Sequence, residues 1–117
     1  MARAKWLGFG LALGLGLSAM VALAAPTRGP AVASRWQNVK MSQEGCLKRA
    51  EDAIRLAGFG QLERTEQSRY GTKENYTGVV RCITSNGIAL FIGSGPLRPV
   101  ADNLSGLLFQ NFKTEPN

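Results

Sequence analysis

The sequence predicts an α+β fold, a two-layer sandwich of two helices and an antiparallel sheet of three to four strands, in the order (β)αβββα, with one disulfide. Three observations lead to this prediction. An amphipathic helical pattern covers residues 42–57, two apolar alternating segments flank Asn86-Gly87, and a second helical pattern follows Pro99. Elements in this order bury their apolar sides best when the helices lie on an antiparallel sheet.

Residues 1–25 have the composition of a secretory signal peptide. Two basic residues precede an uncharged apolar run, residues 7–23, which ends in small side chains. This pattern predicts cleavage after Ala24 or Ala25, and export to the periplasm or the medium without a stable membrane anchor. The alternative is a retained N-terminal anchor, because the run approaches the roughly 18 apolar residues typical of a spanning helix.

Residues 26–34 are rich in proline, glycine and small side chains without periodicity, which predicts a flexible linker. The remaining residues, 35–117, are enough for one domain. At its start, residues 36–41 predict either a short first strand or an extended approach to the first helix.

The first helix is predicted over residues 42–57, with Ser42 as N-cap and Gly58 as the left-handed stop. Its inner face carries the first of only two cysteines, Cys46, and the second is Cys82. Two cysteines in an exported chain most simply form one structural disulfide. In the chain-entropy model, closing a loop of this length stabilises the fold by about 4 kcal/mol.

Residues 61–70 predict an edge strand whose charges discourage unwanted pairing. Residues 76–84 and 88–94 predict a hairpin with a two-residue turn at Asn86-Gly87. That turn would pair Ile83 with Leu90 and Cys82 with Phe91. The expected faces are Val80, Cys82, Ala89 and Phe91 on one side, and Val79, Arg81, Ile83, Ile88, Leu90 and Ile92 on the other.

The disulfide assigns the Cys82 face to the first helix. The opposite face is also strongly apolar, and an apolar face of this size is not expected to remain in water. The C-terminal helix, the N-terminal segment or another molecule is expected to cover it. For the C-terminal helix, the predicted apolar stripe is Val100, Leu104, Leu107, Leu108 and Phe112. Gly106 in its middle is expected to weaken the helix by about 1 kcal/mol unless it allows close packing.

The chain contains no histidine, which removes Ser-His and Cys-His catalysis and most transition-metal sites. No pair of carboxylates is placed for acid–base chemistry, so we expect no enzyme, no cofactor and no metal. A histidine-independent hydrolase with Ser94 or a tyrosine as nucleophile is the enzymatic alternative. The basic residues are scattered rather than arranged in a stripe, which argues against nucleic acid as a partner.

Two places could bind a ligand. The first is the predicted loop Gly93-Ser94-Gly95 with Arg98 beside it, because glycine-rich loops at helix N-termini present backbone N–H groups to anions. The second is Arg81, which lies among apolar positions and could pair with an acidic group. For each place a structural explanation competes: a tight turn for the loop, and an arginine that reaches the rim for Arg81.

Residues 46–59, 76–82 and 87–96 together resemble small secreted bacterial proteins of unassigned function. The resemblance implies export and a paired-cysteine framework, and it carries no site residues. The sequence therefore predicts an exported, non-enzymatic binding module whose partner is an unknown protein or an anionic envelope component. A structural homodimer through the apolar sheet face is the alternative.

Overall fold

The computed structural model describes residues 29–113, so the predicted signal peptide and the tail after Lys113 lie outside the described residues. The predicted α+β class, the two helices and the antiparallel sheet are confirmed, but the sheet has five strands rather than three to four. Its strand order is β1-β5-β4-β3-β2. The elements are β1 (Ala31–Asn38), α1 (Gln43–Leu56), β2 (Gly60–Arg64), β3 (Ser68–Lys73), β4 (Tyr76–Ile83), β5 (Ile88–Gly95) and α2 (Arg98–Lys113).

The additional strand arises because residues 61–70, predicted as one edge strand, contain a reversal between β2 and β3. The Thr65 and Ser68 backbones close this turn. The Thr65 N–H donates to the Ser68 carbonyl at 2.9 Å, and the Ser68 N–H donates to the Thr65 hydroxyl at 3.0 Å. A threonine side chain that accepts from the backbone three residues later is a turn-forming device.

Strand β1 begins inside the segment predicted as a linker, residues 26–34, and pairs with β5 along its whole length. The small side chains that made this segment resemble a linker have a packing role. Ala31 is paired with Gly95 and Ala33 with Gly93, on the face over which α2 passes. Small residues on both strands allow the helix to approach the sheet closely.

Helix α1 has the predicted boundaries. The Ser42 hydroxyl accepts a hydrogen bond from the Gly45 N–H at 3.0 Å, and Gly58 has the left-handed φ of +86°. The predicted Cys46–Cys82 disulfide is confirmed, with an S–S distance of 2.03 Å and a Cα–Cα distance of 6.1 Å. Both cysteines are fully buried, and the bridge joins the first turn of α1 to the C-terminal end of β4.

The β4–β5 hairpin differs from the prediction in register but not in the composition of its faces. A short 3-10 turn, Thr84–Asn86, and Gly87 with φ +72° connect the strands, so that Ile83 pairs with Ile88 and Cys82 with Ala89. The predicted pairs with Leu90 and Phe91 are therefore wrong by two residues. Because side chains alternate with a period of two, that shift leaves every residue on its predicted face.

The core lies between the Cys82 face of the sheet and the two helices. The Phe91 ring makes edge contacts with Phe109 and Phe112, at centroid distances of 5.6 and 5.1 Å. Helix α2 is rotated relative to the predicted stripe, which leaves Val100 41% and Leu107 44% exposed. Leu104, Leu108 and Phe112 are buried as predicted, and Ala101 and Ser105 are buried in place of Val100 and Leu107.

This rotation follows from close packing. A Cβ on Gly93 would meet the Ala101 carbonyl oxygen and come within 3.0 Å of the Ser105 N atom, so the backbone of α2 lies directly on the strand. Only small helix residues fit at such a contact, which turns Ala101 and Ser105 inward. Gly106 allows a second close approach, because the Arg35 guanidinium would lie 3.1 Å from a Cβ there.

Candidate functional site

The face of the sheet opposite the helices, called the open face below, is built by alternate residues of the strands. Both helices pack on the Cys82 face, and no other element of residues 29–113 lies over the open face. Its residues are Val32, Ser34, Trp36 and Asn38 of β1, Ile88, Leu90, Ile92 and Ser94 of β5, Thr77, Val79, Arg81 and Ile83 of β4, Ser68, Tyr70 and Thr72 of β3, and Glu63 of β2.

The sequence suggested the C-terminal helix and the N-terminal segment as elements that could cover this face, and the structure describes where each of them lies. Helix α2 lies on the Cys82 face, where its Leu108 and Phe112 are fully buried. The N-terminal segment, as far as it is described, forms β1 and extends the sheet sideways instead of covering it. The described part of a segment that was one of three suggested covers therefore enlarges the open face.

The middle of the open face is apolar. Val79 and Ile92 are cross-strand partners, as are Ile83 and Ile88, and all four are half-buried among one another. Towards β1 the apolar surface becomes more exposed, since Trp36, the partner of Leu90, is 61% exposed. Val32, at the other end of β1, is 54% exposed.

Arg81 lies on this face in β4 and is held by neutral partners. Its Nη2 donates to the Gln67 side-chain oxygen at 2.5 Å and its Nη1 donates to the Ser68 hydroxyl at 3.4 Å. No ion pair of Arg81 occurs among residues 29–113. The guanidinium is thus oriented beside apolar side chains while its charge is not neutralised, which suits it to pair with a carboxylate or phosphate.

The other predicted site residues do not form a loop, because β5 continues through Gly93, Ser94 and Gly95. Gly93 and Gly95 are paired with β1 and face the helix side, where Tyr76 covers Gly95 and α2 covers Gly93. Ser94 lies on the open face, opposite Thr77. Arg98 lies at the sheet edge, and its Nη1 donates to the Val32 carbonyl at 3.4 Å.

A cleft of about 380 Å³ opens between the start of α2 and the β3–β4 turn. Sequence reasoning missed it because Val100 and Leu107, which line it, were assigned to the core stripe. The Lys73 ammonium at its side lies close to Gly58, at the C-terminal end of α1, where a cation stabilises the helix dipole. The remaining lining residues are Ala57, Phe59, Glu74, Tyr76, Asn103 and Leu104.

A charged cluster joins α1 to β2 and β3. The Glu51 carboxylate, 14% exposed, accepts hydrogen bonds from Arg64 at 3.0 Å and Arg69 at 2.7 Å, and Arg55 lies 3.5 Å away. The hydrogen bond from Arg64, followed by that from Arg69, lowers the pKa of Glu51 although burial opposes this shift. The cluster is an internal structural contact, since its arginines surround a carboxylate of the chain itself.

No group of three or more His, Cys, Asp or Glu side chains within residues 29–113 could hold a metal ion. No helix in the described part of the chain is long and apolar enough to cross a membrane.

Comparison with known proteins adds no relative: no protein-family model matches the sequence, and no curated protein matches it.

Proposed function

We propose that the protein is an exported, non-enzymatic binding module whose binding surface is the open face. The observation that carries this proposal is the apolar centre of that face, Val79, Leu90 and Ile92, which no element of residues 29–113 covers. Arg81 lies beside it and has no ion pair among the same residues. Export is supported by the N-terminal signal pattern and is consistent with the Cys46–Cys82 disulfide.

The composition of the open face favours binding to another molecule. Removal of apolar surface from water contributes roughly 25 cal/mol per Å². Tryptophan, tyrosine and arginine are the residues that most often dominate binding energy at interfaces. Trp36, Tyr70 and Arg81 are all present on this one face, on three different strands.

The chemistry of the partner follows from the charges. An apolar surface with an acidic group placed to meet Arg81 would satisfy both features of the face. The full sequence carries 14 basic and 8 acidic residues, and removal of Arg3 and Lys5 with the predicted signal peptide leaves 12 basic residues and a net charge of about +4, which attracts acidic partners at long range. We therefore infer an amphipathic partner that presents a carboxylate or phosphate beside apolar groups.

The amphipathic anion 1-anilinonaphthalene-8-sulfonate is a suitable probe, because its aromatic rings and sulfonate match the two features of the face. We expect enhanced dye fluorescence with the wild-type protein, with energy transfer from Trp36. Leu90→Asn and Arg81→Gln should each weaken the dye affinity at least about fivefold, a loss of roughly 1 kcal/mol. The matched control is Leu107→Asn in the cleft beside α2, which should bind the dye like the wild type.

Two results would count against the proposed surface. One is a wild-type protein that does not enhance the fluorescence of the dye. The other is loss of binding in Leu107→Asn with retention in Leu90→Asn, which would move the binding site to the cleft beside α2.

A further inference from the structure

The two edges of the sheet differ in how they are protected against pairing with another strand. The outer strand β2 has five residues, and its register shifts between Gly60 and Glu63. Gln61 in this strand has the left-handed φ of +49°. Short length, irregular backbone and the charges of Glu63 and Arg64 are the devices by which natural sheets prevent edge-to-edge pairing.

Strand β1, at the opposite edge, has none of these devices. Its eight residues pair with β5 in one unbroken register, and the strand contains neither proline nor lysine. Its only charged side chain, Arg35, lies on the helix side and is held by Ser105 at 3.3 Å and Asp102 at 3.6 Å. A long, regular edge strand with no charged side chain on the open face is a template for a further strand.

The outward backbone groups of β1 can be assigned from the register. The Val39 N–H donates to the Gly87 carbonyl at 2.8 Å, in the same register as the strand pair. In an antiparallel pair, alternate residues direct both backbone groups to the partner, so the odd-numbered residues of β1 bond to β5. The even-numbered residues therefore direct their N–H and C=O groups outward, and these are Val32, Ser34, Trp36 and Asn38.

These four residues are exposed. Of their outward backbone carbonyls, the Val32 carbonyl alone accepts a hydrogen bond within residues 29–113, from Arg98 at 3.4 Å. Their side chains belong to the open face. The edge thus offers unpaired hydrogen-bonding groups together with the most exposed apolar side chains of the sheet, Trp36 and Val32. An added strand would form hydrogen bonds with these backbone groups and would bury part of the Trp36 and Val32 side chains.

We propose that β1 pairs antiparallel with β1 of a second copy, around a two-fold axis at Ser34, so that the two sheets become one. In this register Trp36 of each copy lies opposite Val32 of the other, and Arg35 lies opposite Ala33. Apolar cross-strand pairs of this kind stabilise a sheet. The chain is its own best partner because Val32 and Trp36 are spaced equally on either side of Ser34.

Neighbouring registers are less favourable. An axis at Arg35 would place the two Arg35 residues directly opposite each other, and like charges in that position are destabilising. An axis at Trp36 would pair Val32 with Lys40, beyond the end of β1, and would shorten the ladder. The axis at Ser34 keeps residues 31–37 of both copies paired. It also joins the two open faces into one surface, although the pairing itself does not depend on what that surface binds.

The test is the mass of the protein by light scattering across a concentration series, compared with the mass of the same chain in denaturant. We expect the wild type to reach twice the denatured mass. Ser34→Pro removes an outward N–H without touching the β1–β5 hydrogen bonds, and it should weaken dimerisation at least tenfold. Trp36→Lys should do the same by placing a charge at the edge. The matched control, Leu90→Asn at the centre of the open face, should remain dimeric.

A cysteine variant tests the register. Ser34→Cys places two thiols across the proposed axis at a Cα separation of about 5.5 Å, within disulfide range, whereas Asn38→Cys does not. Oxidation should give a covalent dimer of the first variant only. A monomeric wild type would overturn the proposal and leave this edge to an extended segment of another protein. Dissociation by Leu90→Asn, with no effect of Ser34→Pro, would overturn it in favour of face-to-face association.

Discussion

Alternate residues of β4 and β5 face two different environments although both sets include large apolar side chains. Phe91 is fully buried beneath the helices, whereas its neighbour Leu90 lies half-buried on the open face. Val80 and Val79 show the same contrast in β4. The comparison teaches that apolar alternation identifies two faces but does not tell which of them is the core. Here the disulfide at Cys82 makes that distinction.

The two faces also differ in how their polar groups are treated. On the helix side, charged groups are paired within the chain, as Glu51 is with Arg64 and Arg69. On the open face, Arg81 meets only neutral oxygens among the described residues. An acidic group on a partner would complement Arg81 beside these apolar side chains, which is why the open face is the better place to look for a function.

The largest expected difference between the faces is in stability. Phe91→Ala should lower the free energy of unfolding by about 3–5 kcal/mol, because it leaves a cavity between the sheet and Phe112. Leu90→Ala should cost about 1 kcal/mol, since much of that side chain already meets water. Urea unfolding followed by circular dichroism measures both. Equal losses of unfolding free energy in the two variants would mean that Leu90 is as deeply buried as Phe91, and therefore that the open face is covered.

Much of the fold could be predicted because the signals were local. Ser42 and Gly58 define the ends of α1 through capping chemistry that needs no tertiary context. The disulfide followed from a count of two cysteines, and the faces of the hairpin followed from alternation. The faces were predicted correctly although the register was not. The actual turn, Thr84–Gly87, is longer than the predicted one by two residues, and a shift of two residues leaves each side chain on its face.

The rest depended on contacts between distant segments. Nothing local to residues 31–34 indicates a strand, because the small side chains of Ala31 and Ala33 are needed only where α2 crosses the sheet. The rotation of α2 likewise follows from its contact with Gly93, not from its own periodicity. Of the candidate site, Arg81 and its apolar neighbours could be located from the sequence, whereas the contribution of Trp36 required knowing that β1 lies beside β5.

Glycine positions extend the comparison from side chains to the backbone. Gly93→Ala should lower the free energy of unfolding by about 1–3 kcal/mol, because the new methyl group would collide with the backbone of α2. The control is Gly60→Ala at the start of β2, where a Cβ would meet no atom within 4 Å, and its change should stay within about 0.5 kcal/mol. A neutral Gly93→Ala would show that α2 can move away from the sheet and that the core face is not tightly closed.

The smallest expected difference concerns two carboxylates, Glu51 on the helix side and Glu63 on the open face. Glu51→Gln should lower the free energy of unfolding near neutral pH by on the order of 1 kcal/mol, since it weakens charge-assisted hydrogen bonds from Arg64 and Arg69. Glu63→Gln should have little effect, because Glu63 has no ion pair among residues 29–113.

The contribution of Glu51 to stability also depends on pH. Because the pKa of Glu51 in the folded protein is lowered from 4.5, folding favours its charged form. The resulting stabilisation is fully present above the ordinary pKa and is lost as the pH falls through the lowered one. Unfolding free energies of the wild type and Glu51→Gln should therefore converge in acid. A constant difference between the wild type and Glu51→Gln from neutral to acid pH would mean that its arginine contacts do not act through charge.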